Sequence, residues 1–263
     1  MHLQLTNKVI IVTGGARGIG MAIVKLLADE GAIPVIVGRH ANENRALVDE
    51  LKQAGKAAGE VTIELAAVDQ LESVVTNIIH QFGKIDGLVN NAGYNDGVGL
   101  EKGNYAAFME SLHNNLVHYY MMAHYCLPWL KKSTGAAIVN IISKTAETGQ
   151  GGTSAYAAAN GGRSALTREW AVELLKYGIR VNGVVVAECY TPAYETWIAT
   201  LPDPENKLKE INQRIPLANR MTTPAEIAAA VLFLLSPVSS HTTGQLLHVD
   251  GGYVHLDRAL ANA

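Results

Sequence analysis

Two cysteines, Cys126 and Cys189, are all that 263 residues contain. They are far apart and form no CxxC pair, which argues against a disulfide framework or a zinc site and for two reduced thiols. Charge is also scarce: charged residues make up 17% of the chain and the formal net charge is -3. A polyanion-binding face or a polybasic membrane surface is therefore not expected, and nucleic acid is not an expected partner. No apolar run reaches membrane-spanning length, and the opening residues lack a basic stretch followed by an apolar one, so the expectation is a cytoplasmic protein with no membrane contact. Nine histidines occur without HxH or HExxH spacing, and no metal is expected. No Pro/Gly/Ser-rich linker, fixed-period repeat or low-complexity stretch divides the sequence, which favours one domain over residues 1–263.

What is present is alternation. Short apolar, β-branched runs at residues 8–13, 33–37, 61–65, 87–90, 136–142, 179–186 and 245–249 read as seven strands, mostly separated by segments of helix length. Strands apolar on both faces imply a parallel sheet covered by helices on each side, an α/β doubly wound Rossmann fold. Right-handed crossovers then place a ligand at the carboxyl ends of the strands.

Thr13-Gly14-Gly15-Ala16-Arg17-Gly18-Ile19-Gly20 lies between the first strand and a helix predicted over residues 19–29. Bare backbone in such a turn can approach a pyrophosphate at the helix N-terminus, which implies a dinucleotide. The spacing TGxxxGIG, with glycines at Gly14, Gly18 and Gly20, resembles the short-chain dehydrogenase/reductase family. The likeness continues at Asn90-Asn91-Ala92-Gly93, at Asn115, at Ser143 and at Tyr156, thirteen residues after the serine. The resemblance implies that Asn91, Ala92 and Gly93 line the adenine-ribose side and that Asn115 kinks a helix and holds a water in a proton relay. It implies further that Ser143 bonds the substrate oxygen while Tyr156 exchanges its proton as hydride moves to or from the nicotinamide.

The departure is Asn160, one turn after Tyr156 on the same helical face. In the family a Lys here bonds the nicotinamide ribose and lowers the tyrosine pKa. Asn can still exchange hydrogen bonds with the ribose but brings no charge to favour phenolate. Loss of such a partner costs on the order of 10²–10⁴-fold in rate, so an impaired enzyme that retains its cofactor is expected. Lys144, beside Ser143, is the nearest cation in sequence, but adjacent residues leaving a strand face opposite ways.

At the end of the second strand Val37-Gly38-Arg39-His40 offers cations in place of the acid that would hold an NAD ribose. NADP is favoured over NAD, with Arg39 and Arg17 toward the 2′-phosphate. Glu64-Leu65 stands where the family commonly has an Asp-Val lining the adenine, and Thr191 matches a Thr near the nicotinamide amide. Residues 187–192, Tyr194-Glu195-Thr196-Trp197 and the tail 250–258 resemble bacterial L-fucose dehydrogenases, which oxidise an aldose at C1 to its lactone. Lys144, Glu147, Gln150, Glu188, Tyr190, Tyr194 and Trp197, with Ser143 and Tyr156, are the expected sugar contacts. Residues 191–213, punctuated by Pro192, Pro202 and Pro204, read as a lid. Family resemblance also implies a homotetramer through the helices around residues 111–131 and 154–177. Two alternatives stay open: a cofactor-binding homologue without turnover, and a ketone or 3-oxoacyl reductase.

Overall fold

A computed structural model describes residues 2–256; Asp257 and Arg258 of the tail lie outside the described residues. In chain order the elements are β1 (Val9–Thr13), α1 (Gly18–Asp29), β2 (Ile33–Gly38), α2 (Ala41–Gln53), β3 (Gly59–Thr62), α3 (Leu71–Phe82), β4 (Gly87–Asn90), α4 (Tyr105–Leu112), α5 (His118–Leu130), β5 (Ala137–Ser143), α6 (Ser154–Glu173), β6 (Arg180–Val186), α7 (Pro192–Ile198), α8 (Pro204–Gln213), α9 (Pro224–Leu235) and β7 (Leu246–Val249). The seven strands form one parallel sheet in the order β3-β2-β1-β4-β5-β6-β7. This is the doubly wound fold anticipated from the apolar runs.

Strand alternation sorts the core. Ile10, Val12 and Ile36 pack against α1, α2 and α9, whereas Val9, Ile11, Val35 and Val37 face α3, α5 and α6. Each fully buried aliphatic side chain contributes about 1.5–3 kcal/mol relative to exposure, which is why strands with few polar residues are stable only between two helical layers.

Local chemistry sets the boundaries. Helix α9 begins at a capping box, in which Thr223 accepts from the Glu226 amide and the Glu226 carboxylate accepts from the Thr223 amide, with a proline at the first turn. Its far end is closed by the buried Arg180 guanidinium, which donates to the carbonyls of Leu234, Leu235 and Ser236. The third strand corrects the sequence expectation. It spans Gly59–Thr62 rather than 61–65, because its ladder with β2 ends where β2 ends, at the Gly38–Thr62 pair. Between α4 and α5 the backbone widens into a π turn over His113–Val117, a local distortion that tends to occur at functional sites. Asn115 sits inside it.

The strand order reverses between β1 and β4, so loops from the two halves of the sheet diverge there and open a crevice at the carboxyl ends.

Candidate active site

That crevice is a cleft of about 510 Å³. Gly14, Arg17, Gly18, Ile19 and Gly20 form one wall, Arg39, Glu64 and Leu65 the adjacent end, Asn91, Ala92 and Gly93 the floor, and Ser143, Tyr156, Thr191 and Tyr194 the other side. One continuous space therefore joins the glycine turn to the expected reacting groups, which lie on β5 and α6.

The glycine turn is shaped by its neighbours. A Cβ on Gly20 would lie 2.3 Å from the Gly14 carbonyl oxygen and 2.7 Å from Asn91 Nδ2, so no side chain fits there. Asn91 braces the turn by donating from Nδ2 to the carbonyls of Thr13 (2.9 Å) and Gly14 (3.3 Å). Thr13, which sequence reasoning passed over as a strand end, accepts from the amides of Asn91 (2.9 Å) and Ala92 (3.1 Å) through its hydroxyl. Helix α1 has no side-chain cap and no acid in its first turn. Its first amides are thus left for an anion, and the wall fits a dinucleotide pyrophosphate.

Both expected phosphate cations have carboxylate neighbours. Arg39 lies 3.3 Å from Glu64 and Arg17 pairs with Glu43, with all four side chains about half exposed or nearly so. Exposed pairs of this kind are weak, typically about 0–1 kcal/mol, so either arginine can turn to a phosphate at little cost.

At the reacting end, Asn160 is fully buried. Its Oδ1 accepts from the Ser143 amide at 2.8 Å and its Nδ2 donates to the Tyr156 carbonyl at 2.8 Å. The position where the family resemblance places a Lys thus ties together the backbones of the two expected reacting residues. Asn115 is also fully buried. Its Oδ1 accepts from the Tyr94 amide (2.9 Å), and its carbonyl accepts from Arg163 Nε at 2.7 Å.

The expected sugar contacts separate into groups. Ser143, Tyr156 and Tyr194 line the cleft. Lys144 points away, into an ion pair with Glu188 and over the Tyr253 ring at 4.0 Å. Glu188 also accepts from the Tyr194 hydroxyl at 3.0 Å; burial first, then this carboxylate, holds that phenol well above its ordinary range. Tyr190 and Trp197 are exposed, at 6.2 and 5.1 Å from the Tyr194 ring. Gln150 is exposed and does not line the cleft. Glu147 lies 3.1 Å from His248 Nε2, and with His255 these residues bring ligand atoms within 4.8 Å of one another. No local spacing signals that convergence, since Glu147 and His248 are 101 residues apart.

Sequence reasoning missed four cleft or near-cleft groups: Tyr94, His118, Tyr119 and Arg163. Arg163 was legible, being two helical turns beyond Tyr156 on the same face. His118 was not, because only the fold buries it. Burial, then the charge of Arg163, depress its pKa from 6.5 to about 3, while a hydrogen bond with the Asn114 carbonyl opposes the fall. An imidazole whose folded pKa lies below its unfolded one leaves stability intact above about 6.5 and erodes it as pH falls toward about 3. The urea midpoint is accordingly expected to drop between pH 7 and pH 5, and His118→Gln to flatten the drop. An unchanged slope in the variant would show that other groups set the acid limit.

Comparisons with known proteins point to one family of oxidoreductases. A family model described as enoyl-(acyl carrier protein) reductase matches residues 14–254. The chain is 37% identical to an L-fucose dehydrogenase of Mus musculus over 250 residues, covering 95% of this chain and 89% of the relative. It is 35% identical to a 3-oxoacyl-[acyl-carrier-protein] reductase of Thermotoga maritima over 255 residues, covering 96% and 100% of the two chains. Among solved structures, a dehydrogenase designated Cj0485 superposes with a TM-score of 0.91 at 46% identity over 98% of each chain.

Proposed function

The chain belongs to the short-chain dehydrogenase/reductase family of oxidoreductases acting on CH–OH groups, and from that premise we propose that it oxidises an L-fucose-like aldose at C1 to the lactone, with NADP accepting the hydride. The observation that carries this reading is the single cleft that holds the glycine turn at one end and Ser143 with Tyr156 at the other. NADP, when bound, supplies the nicotinamide carbon that takes the hydride.

The chain's own residues do the rest. Gly14, Gly18, Ile19 and Gly20 hold the pyrophosphate at the start of α1, Arg39 and Arg17 leave their carboxylates for the 2′-phosphate, and Glu64, Leu65, Asn91, Ala92 and Gly93 line the adenosine side. Thr191, which caps α7 through its hydroxyl, faces the nicotinamide end. Ser143 Oγ donates to the C1 oxygen, and Tyr156 takes its proton as the C1–H bond breaks; the C1–O bond becomes the lactone carbonyl and the proton passes to solvent. Asn160 positions both residues and carries no charge of its own to favour the phenolate. Asn115 shapes the relay behind them. The sugar's other hydroxyls meet Tyr194 and Glu188, with Tyr190 and Trp197 closing from residues 191–213 as a lid. A homotetramer formed through α5 and α6 is part of the same proposal, and sedimentation at the mass of four chains is its check.

Initial rates of NADPH formation from NADP⁺ and L-fucose test the reading. Turnover of L-fucose supports it. The reductase relative at 35% identity favours a second reading, in which acetoacetyl-CoA oxidises NADPH while L-fucose is inert. Tight NADP binding with no turnover of either substrate would leave a non-catalytic homologue.

Cofactor preference gives a separate expectation. Arg39→Ala removes a charge-assisted phosphate contact worth about 1.5–3 kcal/mol, so KM for NADP⁺ should rise roughly 10- to 100-fold with KM for NAD⁺ little changed. Equal effects on both cofactors would exclude Arg39 from the 2′-phosphate site.

A further inference from the structure

Arg163 is the buried cation of this molecule that the assigned roles do not use. Only 3% of it is exposed, yet it lines the cleft shared with Ser143 and Tyr156. Among the described residues it forms no ion pair with a carboxylate. Its partners are neutral: the Asn115 carbonyl (2.7 Å), the Ile141 carbonyl (3.2 Å), Asn160 Oδ1 (3.1 Å) and the Tyr119 ring face at 4.2 Å. Its Nη2 is buried with no hydrogen-bond partner. A Cβ on Gly93 would sit 2.6 Å from that nitrogen, so the bare backbone at Gly93 makes room for it.

A guanidinium keeps its charge at working pH and is costly to bury without a counter-charge unless function compensates. We propose that Arg163 is a positioning residue for hydride transfer, supplying from two turns along α6 the fixed positive charge that Asn160 lacks, while locking Asn160 against Ser143. The assignment deepens the oxidoreductase reading and rests on it.

Three features point to the anion served being Tyr156. Asn160 joins Arg163 to the Tyr156 backbone. Arg163 and Tyr156 line the same cleft, with the guanidinium seated over the Tyr119 ring beneath it. The other titratable groups facing the guanidinium are poor counter-charges. Tyr119 is held above its ordinary range by burial and donates to the Ile141 carbonyl at 3.1 Å, and His118 is held neutral. The Asp96 carboxylate is reached only through the Asn115 amide, at 3.5 Å.

Arg163→Gln removes the charge and keeps an amide donor. With L-fucose and NADP⁺, kcat at pH 7.5 is expected to fall about 10²-fold, with KM for NADP⁺ changing far less. The deficit should shrink toward pH 10, where tyrosine ionises unaided. Arg163→Lys should recover part of the rate. A second readout needs neither cofactor nor turnover. Tyrosinate absorbance near 295 nm, taken as the difference between a protein and its Tyr156→Phe version, should rise at lower pH with the arginine in place than in the Arg163→Gln variant.

An Arg163→Gln protein of unchanged pH profile and unchanged Tyr156 titration would overturn the assignment. Should that variant not fold, Arg163→Lys carries the test, since it keeps the charge and leaves the Asn160 contact with the Ser143 amide in place. A folded Arg163→Lys protein that retains part of the rate at pH 7.5 and a wild-type-like pH profile supports the proposal, and a folded one with no rate at any pH overturns it. An inactive wild-type protein whose Tyr156 titration still depends on Arg163 would sink the substrate reading and leave the charge assignment standing.

Discussion

Asn160→Lys is expected to lower both rate and stability, although the bare sequence suggests that it should repair the site. Asn160 is fully buried, and its Oδ1 accepts from both the Ser143 amide and Arg163 Nη1. A lysine would leave the Ser143 amide without its acceptor and place an ammonium beside a guanidinium that already lacks a carboxylate. An uncompensated buried charge costs about 3–5 kcal/mol, which for a chain of this size lowers Tm by roughly 10 °C. Ser143 would lose its backbone anchor, so the rate with L-fucose and NADP⁺ should fall with stability. Thermal unfolding and initial rates on the same preparation decide it. A hundredfold gain in rate at unchanged Tm would mean that the pocket has room for both cations and that Asn160 alone limits the enzyme.

Tyr156→Phe should have the largest effect on chemistry with the least effect on structure. The tyrosine's first turn on α6 stays intact, since Asn160 bonds its carbonyl and not its hydroxyl. Loss of the proton acceptor is expected to lower kcat about 10³-fold while NADP binding, followed by fluorescence quenching, persists. Tyr119 cannot substitute, because its hydroxyl is buried and committed to the Ile141 carbonyl at 3.1 Å. Residual activity close to wild type would move the acid/base role elsewhere.

The glycine turn and the Asn90-Asn91-Ala92-Gly93 segment were legible because each is a local pattern on one loop, and Ser143 and Tyr156, from β5 and α6, do line one cleft. The strands were legible too, except that β3 ended with its ladder partner rather than with its apolar residues. Lys144 was named both as a sugar contact and as a cation facing away from Ser143, and only the fold shows that it pairs with Glu188. Arg163 lay in plain view on the same helical face as Tyr156, but nothing in one helix says that two carbonyls from other elements will receive its guanidinium.

The sequence by itself determined the parallel doubly wound sheet and the glycine turn after its first strand, because periodicity and glycine spacing act over a few residues, while Ser143 and Tyr156 were named by family resemblance. Only the tertiary structure decided that Asn160 is a tie between strand and helix, that Arg163 is a buried charge lining the same cleft as Tyr156, and that Glu147 meets His248. Burial and electrostatic partnership depend on which distant segments the packed sheet brings together.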